Sequence, residues 1–185
     1  TGMSIDSVST TGAEGAPIAL RPTIQGTRHV ASTGHYLASQ AAFEILEAGG
    51  NAVDAGVAAG LVTGVVQSEF VNIAGVAPIM IYRADTREVV TISGLGTWPK
   101  AATLDLFLDR CGGTIPNGIL RTVVPAAPDA WITALEKFGT MSFGEVAKSA
   151  IRFASEGFAM YPILADLLEV FQDEYRKWPQ NAAIY

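Results

Sequence analysis

Few residues in this chain have the type and spacing that chemistry needs. Cys111 is the only cysteine among 185 residues, so an internal disulfide is excluded. As a nucleophile it would need a helix N-terminus or a cationic neighbour to favour the thiolate. Arg110 adjoins it, but the helix expected here ends at that point, which suits a half-buried helix-end thiol. His29 and His35 are the only histidines, and with no Cys/His cluster around them a metal site is not expected. Asp105 and Asp109 lie one helical turn apart, a spacing that could pair an acid with a base. Thr103 stands ahead of them as a helix cap, so they read as a solvated helix face. Gly94-Leu95-Gly96 lacks the third glycine of a dinucleotide loop and does not open a helix. No nucleophile elbow, phosphate loop or H-E-x-x-H pair is present either. The chain's own motifs therefore assign no catalytic residue, no metal and no cofactor.

Composition narrows the class. Lys plus Arg number 12 against 18 Asp plus Glu, a net charge of −6 with no basic stripe. Nucleic acid and anionic membrane surfaces are poor partners for such a chain. Hydrophobic residues make up 49% and exclude a disordered chain. Charged residues reach only 16%, against the roughly 25% usual for globular domains. A low charge fraction suggests that a partner subunit or further sequence covers part of the surface. No run approaches the ~20 apolar residues that cross a bilayer. The longest candidate, residues 53–66, contains Asp54, Thr63 and the glycines at 56, 60 and 64. Residues 1–22 show no hydrophobic signal region, and Thr1-Gly2 ahead of Met3 reads as a tag remnant. The expectation is a cytoplasmic protein.

The elements that must position any site follow from caps and periodicity. Residues 1–27, rich in Ser, Thr, Gly and Pro, read as a flexible N-terminal arm, and 28–185 as one folded portion. A short strand is expected at 28–32 and a helix over 35–47, closed by Gly49-Gly50. Asn51 should cap a second helix over 53–66, with Asp54 complementing the dipole of its first turn. That helix is apolar almost all round, which marks it as buried. Gly56, Gly60 and Gly64 share one face, expected to press on a sheet. Strands at 77–82 and 88–92 should form a hairpin, followed by a loop at 93–99. A third helix is expected over 104–110 and a fourth from Pro128 to Gly139. A fifth should open with the capping box Ser142-x-x-Glu145 and end near Gly157, and a last helix should cover 163–176. Two or three strands among these helices indicate an α+β chain that is part of a larger fold.

Several separated motifs carry a specific resemblance. Glu47-Ala48-Gly49-Gly50-Asn51-Ala52-Val53-Asp54-Ala55 is similar to the segment joining the first two helices in the γ-glutamyltransferase family, where GGNAVDAA is a hallmark. Ala74-Gly75 follows before the hairpin, then Thr103-Leu104-Asp105-Leu106-Phe107-Leu108-Asp109. Val124-Pro125-Ala126-Ala127-Pro128, Phe138-Gly139-Thr140-Met141 and Glu156-Gly157-Phe158 continue it in the family's order.

The resemblance implies an N-terminal nucleophile hydrolase, an αββα sandwich of which this chain supplies helices plus a hairpin. It further implies a proenzyme that cuts itself into large and small subunits, with residues 28–185 forming the N-terminal portion of the large one. The partner is then the small subunit, whose new N-terminal threonine is both nucleophile and base and has no counterpart up to Tyr185. The family also allows a dimer of αβ heterodimers. In the family, the loop after the second strand carries D-F-R-E, whose arginine grips a substrate α-carboxylate. Here Ser93, Gly94, Leu95, Gly96 and Thr97 occupy that stretch, with Leu95 at the arginine position. A leucine cannot make the bidentate bonds a carboxylate needs. The glycine run before the first hairpin strand is also altered, to Gly75-Val76-Ala77-Pro78. The departures look like the amidohydrolase branch that includes oxamate amidohydrolase, with a small amide as substrate. A γ-glutamyltransferase or glutathione hydrolase using another carboxylate clamp is the alternative, and a non-catalytic scaffold of the same fold is a third reading.

Overall fold

The computed structural model describes residues 23–184. The arm expected over 1–27 lies outside these apart from residues 23–27, which are irregular. Of the described residues, 23–30 fall in one unit and those from Ala31 onward in a second, each described by itself. The strand expected at 28–32 is not formed; these residues have no regular structure.

In the larger unit, α1 (Tyr36–Glu47) starts one residue later than expected because His35 is its cap, not its first residue. Gly49, at φ 94°, ends the helix in the left-handed region that glycine tolerates. Helix α2 (Ala52–Val66) opens with a full capping box between Asn51 and Asp54. The hairpin pairs β1 (Ile79–Arg83) with β2 (Glu88–Ile92), antiparallel, with Ile81 opposite Val90. β1 starts after Pro78 rather than at Ala77, since proline offers no N–H to the ladder.

Next come α3 (Leu104–Cys111), capped by the Thr103 hydroxyl, and a 3₁₀ turn at Ile119–Arg121. Helix α4 (Ala127–Phe138) carries Pro128 in its first turn, where no N–H is missed. The helix expected to follow Ser142 is two, α5 (Phe143–Val146) and α6 (Lys148–Glu156), joined at Ala147. The expected last helix also divides, into α7 (Pro162–Val170) and α8 (Gln172–Arg176). Phe171 separates them at φ −102° and ψ 14°, outside helical geometry. A short α9 (Pro179–Ala182) was not expected.

The core centres on α2. Its Val57, Leu61, Val62 and Val66 are buried among α1, α4, α5 and α6. Ala38, Ala41 and Ala42 of α1 face it with side chains small enough for close approach of the two helices. Burying a valine such as Val62 completely contributes about 1.5–3 kcal/mol. The apolar circumference of α2 is thus covered mainly by helices of the same chain.

The glycine ridge does not press on a sheet. A Cβ at Gly60 would stand 3.0 Å from the Trp131 indole nitrogen of α4, and one at Gly64 would meet Asn72 and Ile73 backbone atoms. Gly56 alone lines the groove between α2 and β1, and its missing Cβ would touch nothing within 4 Å. Among the described residues no helix is long and apolar enough to cross a membrane.

Candidate functional site

The loop from Ser93 to Thr97 leaves the end of β2 and is held on both sides by backbone hydrogen bonds. The Gly94 carbonyl accepts from Ala77 N–H at 2.8 Å, and the Thr97 carbonyl accepts from Val124 N–H at 2.8 Å. Close by, the Gly75 carbonyl accepts from Ala126 and Ala127 at the start of α4. The altered glycine run, the loop and the entry to α4 are therefore one connected piece of backbone.

Two glycines set its shape. Gly94 has φ 53° and Gly96 φ 71°, both left-handed. A Cβ at Gly94 would fall 2.1 Å from the Ala77 carbonyl oxygen, and one at Gly96 2.2 Å from that of Val124. No other residue fits either place without breaking the bonds that fix the loop. Leu95 stands between them and is 53% exposed. The Ser93 and Thr97 residues are exposed as well. Among the described residues, the N–H groups of Gly94, Leu95 and Gly96 have no backbone acceptor. Trp98 closes the loop by packing on Phe107 of α3, ring centroids 5.0 Å apart.

The loop thus presents main-chain donors, two hydroxyls and one apolar side chain, and no cation. It can hold a small oxygen-rich group by N–H and O–H bonds, but offers no proton-transfer group of its own. A groove of about 570 Å³ lies elsewhere, between α2, β1 and α4. Val53, Gly56, Val57, Ile79, Ile81 and Trp131 line it with Tyr82, and among the described residues no carboxylate, histidine or cation enters it. Among the described residues, no group of three or more His, Cys, Asp or Glu side chains could hold a metal. Asp105 is exposed and Asp109 is exposed, the solvated face expected of them.

Asp54 does more than complement a helix dipole. It is fully buried, and its Oδ2 accepts from Asn51 N–H at 2.8 Å and from the Thr140 hydroxyl at 2.6 Å. Its Oδ1 accepts from Thr140 N–H at 2.9 Å and Met141 N–H at 3.1 Å. Burial would raise this carboxyl, but the Thr140 hydroxyl and the N–H groups of Asn51, Met141 and Thr140 outweigh it and hold Asp54 below the usual carboxylate range. The Asn51 side-chain amide adds a bond to the Phe138 carbonyl at 2.7 Å. Together they fasten the start of α2 to the end of α4. The Asn51-x-x-Asp54 spacing signals the local half of this joint, and nothing local signals the half made with Thr140 and Met141.

The gamma-glutamyltranspeptidase family profile matches residues 38–185. This chain belongs to the gamma-glutamyltranspeptidase family. An acylase proenzyme, ACY 1 of Pseudomonas sp. strain V22, is 37% identical over 153 residues, covering 77% of this chain and 27% of that protein. The glutathione hydrolase proenzyme of Bacillus subtilis strain 168 is 31% identical over 154 residues, covering 80% of this chain and 26% of that protein. The crystal structure of Helicobacter pylori gamma-glutamyltranspeptidase superposes with a TM-score of 0.81 at 30% identity, covering 86% of this chain and 47% of that chain.

The chain thus spans about a quarter of the length of these curated relatives. Its helices and two-stranded sheet are part of the α+β N-terminal nucleophile hydrolase fold of the gamma-glutamyltranspeptidases. The family is enzymatic, and the relatives are named as proenzymes.

Proposed function

We propose that these residues belong to the large subunit of an autoprocessed amidohydrolase of the gamma-glutamyltranspeptidase family, one that hydrolyses a small oxamate-like amide. What supports this reading is Leu95, held between the left-handed Gly94 and Gly96, at the position where the resemblance places the family's carboxylate-gripping arginine. The substrate loop would then be Ser93, Gly94, Leu95, Gly96 and Thr97. A substrate with its carboxylate beside the scissile amide needs no long-range arginine clamp. It could be held by the N–H groups of Gly94 and Gly96 and the hydroxyls of Ser93 and Thr97.

The bond-breaking groups come from the partner. A small subunit with an N-terminal threonine would supply a hydroxyl nucleophile and an α-amine that takes its proton. An α-amine titrates near ~8, close to working pH, so no histidine is needed. This matches a large-subunit segment whose loop offers donors and no base.

The test starts from the processed enzyme. Mass spectrometry of the small subunit should show a new N-terminal threonine, and ammonia should be released from small α-keto or oxalic amides. A proenzyme that never cleaves and releases no ammonia would favour the non-catalytic scaffold. A second reading, γ-glutamyl transfer or glutathione hydrolysis, is favoured by the similarity to the Bacillus glutathione hydrolase proenzyme. It requires a carboxylate clamp built from the loop's N–H groups or from residues of the partner subunit.

A further inference from the structure

His35, Glu69 and Tyr161 come from three separate parts of the chain and meet in one cluster, His35 buried and the other two half-buried. His35 caps α1, Glu69 lies in the turn after α2, and Tyr161 precedes α7. The His35 ring stacks on Tyr36 and tilts against Tyr161, with centroids 4.5 and 5.0 Å away. The Tyr161 hydroxyl donates to Glu69 Oε1.

The tautomer of His35 follows from its bonds. Its Nδ1 accepts from Leu37 N–H at 3.2 Å, the side-chain cap of α1. An accepting Nδ1 carries no proton, so the neutral ring has its proton on Nε2. His35 is only 5% exposed, and its Nε2 is a buried donor with no acceptor among the described residues. Glu69 Oε2 is a buried acceptor with no donor among the described residues. A second proton on the imidazole would have to enter at Nδ1, where it would point at the Leu37 N–H it now receives.

We propose that His35 is a pH-sensitive clasp on the first turn of α1, capping it beside Glu69 and Tyr161 only while Nδ1 is unprotonated. The titratable groups facing the ring are Glu69, Tyr161 and the adjacent Tyr36. Desolvation lowers the His35 pKa and the Glu69 charge raises it, with desolvation the larger. Burial pushes the Tyr161 hydroxyl up to about 12, so it stays a donor to Glu69 throughout the physiological range. A histidine lowered on folding contributes stability that is fully present above its unfolded pKa. That contribution is lost as pH falls from there through the folded value. The clasp therefore opens on acidification.

The test is hydrogen exchange of the Leu37, Ala38 and Ser39 amides in the intact processed protein, corrected for intrinsic rates. Between pH 7.5 and pH 5 these should lose about tenfold in protection, the size of a lost side-chain cap, while α4 amides hold theirs. His35→Asn keeps a capping oxygen that does not titrate, so its protection should be flat with pH. Glu69→Gln keeps an acceptor for Tyr161 but removes the charge that favours the imidazolium, so the loss should move to lower pH. Nitrogen-15 shifts of wild-type His35 should show the Nε2–H tautomer at pH 7.5, whatever the variants do. A proton on Nδ1 at that pH overturns the proposal. So does an unchanged pH dependence in His35→Asn, or a shift to higher pH in Glu69→Gln.

Discussion

Asp54→Asn preserves the volume of the side chain and removes its charge, so it isolates what the carboxylate does. The amide oxygen would take the place of Oδ1 and keep the Thr140 and Met141 N–H bonds. Its NH2 group would then stand at Oδ2, where the Thr140 hydroxyl can rotate to accept. The Asn51 N–H, now 2.8 Å from Oδ2, would face another donor. Three bonds lose their charge assistance, about 1 kcal/mol each, and one buried N–H loses its acceptor, about 1–3 kcal/mol. The expected loss of stability is about 4–6 kcal/mol at pH 7, read by urea unfolding. The difference should depend on pH in one direction. Asp54 is held below its ordinary value, so its contribution is present above the unfolded pKa of about 3.9. It is lost as pH falls through the folded value, and the gap between wild type and Asp54→Asn should narrow there. A loss under about 1 kcal/mol, within the range of an ordinary surface substitution, would refute the joint between α2 and α4. So would a gap that stays constant as pH drops below about 4.

Other substitutions probe the packing and the loop. Thr140→Val should cost about 1–3 kcal/mol alone and less in an Asp54→Asn background, where the bond it removes has already lost its charge assistance; a double-mutant cycle measures this. Gly60→Leu should destabilise by about 1–3 kcal/mol or more because its Cβ begins 3.0 Å from Trp131, and an unchanged melting temperature would show that this face is open. Gly60→Ala should lie near neutral, a propensity gain of up to about 1 kcal/mol offsetting a small shift of Trp131. Gly94→Ala should cost about 2–4 kcal/mol, from the strained backbone and the lost Ala77–Gly94 hydrogen bond, and should depress turnover of every substrate together.

Features set by adjacent residues were legible in the sequence. Asn51 and the Gly49-Gly50 pair marked the junction of the first two helices, and the hairpin around the 83–87 turn placed β2 at its observed bounds. Thr103 and the Ser142–Glu145 box marked two further helix starts. Features set by distant residues were not. Asp54 meets Thr140 across 86 positions of chain, and Gly60 meets Trp131 on another helix. Periodicity gives a face and no partner for it, which is why the glycine ridge was expected against a sheet. His35 was read as the first helical residue because its role as cap depends on a ring nitrogen reaching Leu37. The residue types of the 93–97 loop were readable, but the carbonyls of Ala77 and Val124 that compel its two glycines were not.

The most direct test of the proposed function is the ratio of kcat/KM for oxamate to that for a γ-glutamyl anilide in the processed enzyme. A leucine in place of a bidentate arginine forfeits two charge-assisted bonds to an amino-acid carboxylate, about 3–5 kcal/mol together. Each 1.36 kcal/mol is a factor of ten in rate. Oxamate should therefore be preferred by at least about a hundredfold. Turnover of the γ-glutamyl anilide equal to or faster than that of oxamate, with Leu95 in place, would contradict it.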